Sequence, residues 1–470
     1  MQQRQGWRMG RRGFLQGVGC SLVAAPLLAQ EHGLLSMPTA MVAEAATPSG
    51  LQLDVKNYGA VGDGVANDTV ALQRTLDRCA VLGGGEVLVP AGKYLTGAIQ
   101  LRSKVMLRLA QDAALIGSES FDDYPVSEVR WEGKWIPGHV ALIYAFDAED
   151  TGVVGPGTIV GNPALGGRPT KDKPLRHPAL IEPIRCRRIK LDGFSTSYHL
   201  MWSVHPTECE DVAISNLTIR STGGNGDGID VDSCRRVSID RCDISSGDDC
   251  ISLKSGRGEE GYTIGKPTED VTITNCTFAD AIFACIGIGS ETSAGIRRVK
   301  IRNCTFTGAK SHAIYIKSRP GRGPFLEDFD ADGLDVSGVK AGFLRFNFAN
   351  SGIQDKDPVP GLIGIPTAKN VRIANVVLHD CPTLVEGHAV NPEQPLDGFT
   401  LMNVSGTCKH GITLANMKHV VLKNIHVTGL EGPLLQTYNV QGKGLENAVA
   451  MAAPTTPGPV PEPAVPYKLQ

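Results

Sequence analysis

The sequence has few aromatic residues, no excess of either charge and no metal-type cysteine pairs. Aromatic residues make up 6% of the 470 residues, and the formal net charge is −3. So balanced a charge gives no reason to expect nucleic-acid binding. After Leu28 no stretch is long and apolar enough to cross a membrane. The 12 cysteines lack the paired spacing of a zinc site, and no cofactor is expected.

Glycine is abundant, with 55 residues. Many glycines combined with few aromatic residues favour a turn-rich β protein over a helical one. A chain of this length suits either two average domains or one elongated domain.

Both ends of the chain differ in composition from the rest. Arg11 and Arg12 precede an apolar stretch that ends at Leu28, and Ala43–Ala45 has the form of a cleavage site. Residues 1–45 are therefore predicted to be a twin-arginine signal peptide, with the mature protein in the periplasm or secreted. Residues 451–470 are rich in proline and are predicted to be a disordered tail.

An irregular repeat of roughly 20 to 35 residues begins near residue 185. Each unit holds two short strands with alternating apolar residues, such as "RRVSIDRC" and "CISLKS". Strand-sized segments at this spacing indicate a solenoid, because one turn cannot bury its own apolar face and successive turns must stack. Residues 46–450 are predicted to form an all-β domain, a right-handed parallel β-helix.

A helix is predicted ahead of the repeats. Val70, Leu72, Leu76 and Cys79 would form its apolar face. We expect this helix to cap the N-terminal end of the solenoid, which would otherwise present unpaired strand edges.

Alignment of the repeats places six cysteines in two columns. One column holds Cys186, Cys209 and Cys234, and the other holds Cys242, Cys276 and Cys304. Stacking of free thiols in the core is the favoured interpretation. Disulfides, which export would permit, are the alternative.

Three aspartates precede the second strands of two neighbouring repeats. Asp227 aligns with Asp249, and Asp248 adjoins Asp249. Because adjacent strands lie roughly 4.8 Å apart, the three carboxyl groups should meet at one edge of the outer wall. Crowded carboxylates disfavour full ionisation, so one should keep a proton near neutrality. Inverting glycoside hydrolases use such a set, with the acid and the base roughly 6.5 to 9.5 Å apart.

Other interpretations of these aspartates stay open. Aspartate is common in turns between strands. The three could also bind Ca²⁺ in a polysaccharide lyase, which would release an unsaturated product. A non-catalytic carbohydrate-binding β-helix is the third alternative.

Four short motifs resemble those of the polygalacturonase family, glycoside hydrolase family 28. The family is marked by NTD, GDD, GHG and RIK, which here correspond to Asn225–Asp227, Gly247–Asp249, Phe283–Cys285 and Tyr315–Lys317. The resemblance runs from Val55 to about residue 440. It implies a β-helix enzyme that hydrolyses pectic chains with inversion and needs no metal.

The resemblance also implies roles for individual residues. Asp248 would be the general acid, while Asp227 and Asp249 would activate the water. Lys317 would bind a carboxylate of the substrate, and Asn225 would hold the site in shape.

Two family positions differ in this sequence. Ala284 replaces the histidine, and Tyr315 replaces the arginine. A tyrosine there could pack against a neutral or deoxy sugar, so rhamnogalacturonan is a candidate substrate beside polygalacturonan. His312 aligns with Ala284 one repeat later and either compensates for the missing histidine or lies on the surface.

Further residues are predicted near the aspartates. Lys254, Arg319 and Arg322 would join Lys317 in binding an acidic substrate. Glu291, after Ser290, could contact sugar hydroxyls. We therefore predict an exported monomer whose partner is an acidic pectic polysaccharide.

A long insertion carries Trp131 and Trp135. The two rings could stack on sugars at the edge of the cleft, or they could anchor the insertion.

Overall fold

The computed structural model describes residues 42–43, 50–197 and 201–462. The predicted signal peptide therefore lies outside the described residues, apart from residues 42–43. The described chain forms a parallel β-helix, as predicted. No helix in these ranges combines the length and the apolar character that a membrane span requires.

Strands at equivalent places in successive coils pair in parallel and build three faces. Parallel pairing requires a crossover between one strand and the next on the same face, and such crossovers are right-handed in nearly all proteins. The strands of the first face are Gln52–Asp54, Gly85–Val89, Val105–Leu109, Glu149–Val154, Arg187–Asp192, Glu210–Ser215, Arg235–Asp240, Thr268–Thr274, Ile296–Phe306, Phe325–Val336, Thr367–Ala389 and Leu396–Thr428.

The last four of these strands continue beyond the first face, and the other two faces have shorter strands. The strands of the second face are Asp63–Asn67, Gly92–Thr96, Ala113–Gly117, Thr158–Val160, Ser195–Ser197, Thr218–Arg220, Asp243–Ser245 and Thr277–Ala279. The strands of the third face are Ile99–Gln100, Ile143–Phe146, Ile181–Ile184, Ile229–Asp232, Ile251–Lys254, Ile286–Ile288, His312–Lys317, Gly342–Asn347, Leu435–Lys443 and Val449–Ala450.

An antiparallel hairpin of Val126–Trp131 and Lys134–His139 is inserted between coils. Within the described residues the α-helices are α1, Thr69–Val81, and α2, Gly258–Ile264. Short 3-10 turns are Val55–Tyr58, Phe121–Asp123, Pro163–Leu165 and Leu362–Gly364.

Helix α1 packs over the N-terminal coils and forms the predicted cap. Leu72, Leu76 and Cys79 are fully buried in the core. The assignment of Val70 to this face was wrong, because its side chain is 67% exposed. The buried face instead includes Ala71 and Thr75.

Alternating side chains point inward on each face and form one continuous core. Burying a Val, Leu or Ile side chain contributes roughly 1.5–3 kcal/mol, and the same positions repeat in every coil. The predicted cysteine columns are part of this core. Cys209 Sγ accepts a hydrogen bond from Cys186 N at 3.4 Å, and Cys234 Sγ accepts one from Cys209 N at 3.3 Å. All eleven cysteines in the described ranges are free and buried, which confirms the favoured interpretation.

Asparagine stands at the bend between the first and second faces in several coils. Asn216, Asn275 and Asn303 have φ angles of 54°, 54° and 52°. Asparagine tolerates this left-handed conformation better than most residues because its short side chain can hydrogen-bond locally. Asn275 Nδ2 donates to Asp240 Oδ1 at 2.8 Å, so the turns of successive coils are also linked by side chains.

The chain after Ala450 runs back along the outside of the solenoid. Pro457 O accepts a hydrogen bond from Asn391 Nδ2 at 2.9 Å, and Val460 O accepts one from Gly361 N at 2.8 Å. Residues 451–470 are predicted to be disordered, but the part of this segment up to residue 462 makes these contacts. Residues 463–470 lie outside the described residues.

Candidate active site

The third face brings the predicted aspartates together. Asp230 pairs with Ser252 and Asp232 with Lys254 in the strand register, which is the register that aligns Asp227 with Asp249. Gly228 N donates to Asp249 O at 3.0 Å, so the segments ahead of these two strands are also neighbours. Asp227, Asp248 and Asp249 each have a carboxyl oxygen within 4.8 Å of the other two.

The nearest oxygens of the three carboxyl groups are close together. Inverting enzymes usually hold their two carboxyl groups roughly 6.5–9.5 Å apart, and retaining enzymes roughly 5–5.5 Å apart. The 4.8 Å here joins the nearest oxygens, which lie closer together than the carboxyl groups themselves, so this distance assigns the site to neither class. The closeness has a structural reason, since residues in register on adjacent strands are only about 4.8 Å apart.

Asp249 is held by hydrogen bonds on both carboxyl oxygens. Its Oδ2 accepts from Lys317 Nζ at 2.7 Å and from Ser252 Oγ at 2.8 Å. Its Oδ1 accepts from Ala284 N at 3.0 Å. Gly287 makes room for this group, because a Cβ at that position would lie 2.2 Å from Asp249 Oδ2. Asp249 is therefore fixed as an acceptor.

Asp227 belongs to a second charged cluster on the same wall. Lys254 Nζ lies 2.5 Å from Asp230 Oδ1 and 3.6 Å from Asp227 Oδ2. Burial raises the pKa of Asp227, and it raises the pKa of Asp230 well above its usual range. Burial opposes the charge on Lys254, yet Asp230 and Asp227 together raise its pKa. The lysine thus stays charged between the two aspartates.

Asp248 differs from its two neighbours in being partly exposed. Burial, followed by the charges of Asp227 and Asp249, raises its pKa from 3.8 to about 7. Lys317 and Lys254 act in the opposite direction without cancelling this effect. The carboxyl group of Asp248 is therefore protonated over the acidic range in which an ordinary aspartate is ionised.

A cavity of about 170 Å³ opens above these carboxyl groups. Eight of the eleven predicted site residues line it: Asn225, Asp227, Asp248, Asp249, Lys254, Glu291, Lys317 and Arg322. Ser252, Gly289 and Ser290 also contribute to the lining. The lining includes five acidic and five basic side chains. When Asp248 is protonated, the basic side chains therefore outnumber the acidic side chains that can carry a negative charge.

Comparison with known proteins agrees with the motifs. The model of the family "Glycosyl hydrolases family 28" matches residues 79–342, more than half of the chain. The chain belongs to this family. A probable polygalacturonase of Vitis vinifera is 30% identical over 363 residues, which cover 74% of this chain and 73% of that protein.

Two solved structures share the fold of this family 28 chain. The exopolygalacturonase of Thermotoga maritima has a TM-score of 0.68 at 24% identity, over 82% of this chain and 94% of its own. The family 28 exopolygalacturonase of Yersinia enterocolitica has a TM-score of 0.69 at 19% identity, over 87% of this chain and 80% of its own. The protein is thus a polygalacturonase-like glycoside hydrolase, an enzyme that acts on O-glycosyl bonds.

Three predicted site residues of the family 28 enzyme lie outside the lining of the cavity. The ring of Tyr315 is buried between Phe283 and the Arg345 guanidinium, and its hydroxyl accepts from Asn347 Nδ2 at 3.0 Å. His312 is buried, and its Nε2 lies 3.4 Å from Glu386 Oε1. Arg319 donates from Nη1 to Gly352 O at 2.6 Å.

Glu291 and Arg322 are two more predicted residues in the lining, and each interacts with charged groups of the protein. Arg322 Nε lies 2.7 Å from Asp355 Oδ2, and its Nη1 donates to Ser290 O at 2.7 Å. Although burial opposes its charge, Lys254 and Arg322 lower the pKa of Glu291. Both residues therefore support the wall of the cavity as charged groups.

The tryptophans of the insertion make contacts within the protein. Trp131 stacks on Trp202 with ring centroids 5.0 Å apart, and Trp135 lies against Arg130 at 5.2 Å. These contacts anchor the hairpin, one of the two roles considered from the sequence.

Several lining residues of the family 28 enzyme escaped the sequence analysis. They are Glu132, Arg168, Trp202, Arg257, Gly352 and Ile353. Most lie on loops or on the hairpin, where the strand alternation gives no alignment. Trp202 is different, because "MWSVHP" has the form of a third-face strand and aligns one coil before Asp227.

Phe283 is a further residue that sequence reasoning passed over, although it stands within the altered GHG motif. Its side chain is 36% exposed, and Lys317 Nζ lies 4.5 Å from its ring centroid. Its backbone N–H donates to Asp248 O at 3.2 Å. An accessible aromatic ring therefore stands beside the coil of Asp248.

Proposed function

We propose that this glycoside hydrolase is an exported monomer that cleaves an acidic pectic polysaccharide with inversion at the anomeric carbon. The observation that carries the proposal is the pKa of about 7 for Asp248, between two other carboxyl groups at the floor of the cavity. A general acid is most effective when its pKa lies near the working pH.

Asp248 is the proton donor in the proposed reaction. Its neutral carboxyl group gives a proton to the glycosidic oxygen as the bond to the anomeric carbon breaks. Because Asp227 and Asp249 lie close by, the negative charge left on Asp248 is disfavoured. The same repulsion assists proton return before the next turnover.

Asp227 and Asp249 orient and deprotonate the attacking water. Both carboxyl oxygens of Asp249 accept hydrogen bonds from the protein. A nucleophile would need a free oxygen at the anomeric carbon, so these bonds support a role as a fixed acceptor instead. The ammonium groups of Lys317 and Lys254 contact two of the three carboxylates, which supports hydrolysis without a bound metal.

Lys317 and Lys254 also support an acidic substrate, because both line the cavity. The Vitis vinifera relative is named a probable polygalacturonase, which favours polygalacturonan. Two observations favour a chain that also carries a less polar sugar, as rhamnogalacturonan does. Tyr315 replaces the family's arginine, and the exposed Phe283 ring offers a surface for the apolar face of a sugar.

Export is inferred from the first 45 residues. Arg11 and Arg12 begin a twin-arginine signal, and cleavage after Ala45 would release the mature enzyme. Such a route would bring the enzyme to its polymeric substrate in the periplasm or outside the cell.

The decisive experiment incubates the enzyme with polygalacturonate and with rhamnogalacturonan and follows the first product by NMR. We expect hydrolysis of at least one polymer with inverted anomeric configuration. A first product of retained configuration would refute inversion. A product absorbing in the ultraviolet, lost on calcium chelation, would indicate a lyase instead.

A further inference from the structure

We propose that the cavity is closed at one end and that the enzyme removes single sugars from the non-reducing end of its substrate. The inference rests on the proposed function, because it takes Asp248 as the proton donor. It concerns whether the enzyme cleaves its substrate at a chain end or within the chain, which neither the motifs nor the aspartates determine.

A chain of polar contacts crosses the cleft at the end near Trp202. Arg257 follows a third-face strand, and its Nη1 lies 3.0 Å from Glu132 Oε2 on the hairpin. Glu132 also pairs with Arg168, and Arg168 Nη2 donates to Asn225 Oδ1 at 3.0 Å. Asn225 precedes the neighbouring third-face strand. The four residues, which we name the crossbar, thus join the two sides of the third face.

The hairpin that carries Glu132 is firmly attached to the solenoid. Arg130 Nε lies 3.0 Å from Asp232 Oδ2, and both side chains are 1% exposed. Breaking a buried pair of this kind by removing one partner costs roughly 3–5 kcal/mol. Together with the stacking of Trp131 on Trp202, this pair makes the hairpin a fixed wall instead of a flap.

A second set of ion pairs joins the hairpin to the loop that contains Asp355. Asp355 Oδ1 lies 2.7 Å from Arg257 Nε, and its Oδ2 lies 2.7 Å from Arg322 Nε. Lys134 Nζ on the hairpin lies 2.6 Å from Asp357 Oδ2. The wall is therefore continuous from the crossbar along one side of the cavity.

The cavity suits one sugar better than a polymer. Its volume of about 170 Å³ is below the roughly 300–1,000 Å³ of sites for drug-sized ligands. A chain that ran past Trp202 would have to pass through the crossbar. The last sugar of the substrate must then occupy the cavity.

The position of the acid decides which end of the substrate enters. Asp227 neighbours the closed end, since Ser203 N, next to Trp202, donates to Asp227 O at 3.0 Å. Asp248 lies one coil further from that end, beside Phe283, whose N donates to Asp248 O at 3.2 Å. Asp249 shares the coil of Asp248, so Asp227 is the base nearer the closed end. The leaving group takes its proton from Asp248 and so lies toward Phe283. The sugar attacked by water, which is on the non-reducing side of the bond, lies at the closed end of the cavity.

The test uses two probes, a galacturonate hexamer and a rhamnogalacturonan hexamer, each with its reducing sugar converted to a deuterium-labelled alditol. Mass spectrometry follows the earliest products. We expect an unlabelled monosaccharide and a labelled pentamer. Early products of mixed size, or a label in the monosaccharide, would overturn the inference. Turnover of neither probe would refute the proposed function itself, so the two failures are distinguishable.

Arg168→Ala tests the crossbar directly. The side chain of Arg168 is 56% exposed, so its removal should leave the fold intact. We expect the early products to shift from monosaccharide alone to a mixture with longer unlabelled oligomers. Arg187→Ala is the matched control, because it removes a 50% exposed arginine that pairs with Glu149 on the first face. An unchanged profile for Arg168→Ala, or the same shift in both variants, would refute the role of the crossbar.

Discussion

Asp248→Asn is predicted to be more stable than the wild-type protein, by a margin that grows with pH. Burial and the charges of Asp227 and Asp249 raise the pKa of Asp248 from 3.8 to about 7. At about 1.4 kcal/mol for each pKa unit, ionising this group in the native state costs ~4 kcal/mol more than in the unfolded chain. Asparagine has a similar shape and cannot ionise.

The direction of the pH dependence follows from the raised pKa. The native state holds the proton of Asp248 more tightly than the unfolded chain does. The stability that this carboxyl group contributes is therefore fully present below pH 3.8 and is lost as the pH rises to about 7. The variant lacks this loss, so its advantage in the free energy of unfolding should widen by ~4 kcal/mol over that range and then stay constant.

Urea unfolding of both proteins between about pH 4 and pH 8 measures the difference. Asp122→Asn is the matched control, because Asp122 is exposed on a 3-10 turn and its replacement makes the same chemical change outside the buried cluster. If the difference in the free energy of unfolding between Asp248→Asn and the wild-type protein does not change with pH, the raised pKa of Asp248 is refuted. The variant should lose roughly 10²–10⁴-fold in turnover, the usual contribution of a general acid.

Three further predictions follow from the site and the core. Gly287→Ala should lower turnover sharply, because the new Cβ would lie 2.2 Å from Asp249 Oδ2. Gly224→Ala is the control, because a Cβ at that position would meet no atom within 4 Å. Equal kinetics for the two variants would contradict this prediction. Phe283→Ala should raise KM for oligomers more than Ile282→Ala, which removes a 44% exposed neighbour, and matching KM values would exclude stacking at Phe283. The eleven buried free cysteines should resist a thiol reagent in the native protein and react on unfolding, so rapid labelling of these positions in the native state would contradict the packed columns.

The coil structure could be predicted because its information is local. Alternation of apolar residues has a period of two along a strand, so a slip of one residue would expose the core face. This constraint was enough to align Asp227 with Asp249, and the observed register agrees, with Asp230 beside Ser252 and Asp232 beside Lys254. It also predicts that Asp227, Asp248 and Asp249 meet, since stacked coils leave little freedom in register.

The environment of individual side chains was harder to predict, because it depends on neighbouring coils and insertions. Tyr315 was expected at the substrate, yet Arg345 from the next coil and Phe283 from the previous one cover its ring. Val70 was expected in the core and is exposed, because the buried face of α1 is set by the coils beneath it.

By itself, the sequence determined the β-helix, the columns of the core and the three carboxyl groups, since all of these follow from a repeated strand pattern. Only the tertiary structure decided the form of the cleft. Glu132 and Arg257 are separated by 125 positions, and Arg168 and Asn225 by 57. No periodicity relates these residues. They meet because the hairpin is anchored by the buried pair of Arg130 and Asp232, a contact that exists only once the coils have stacked.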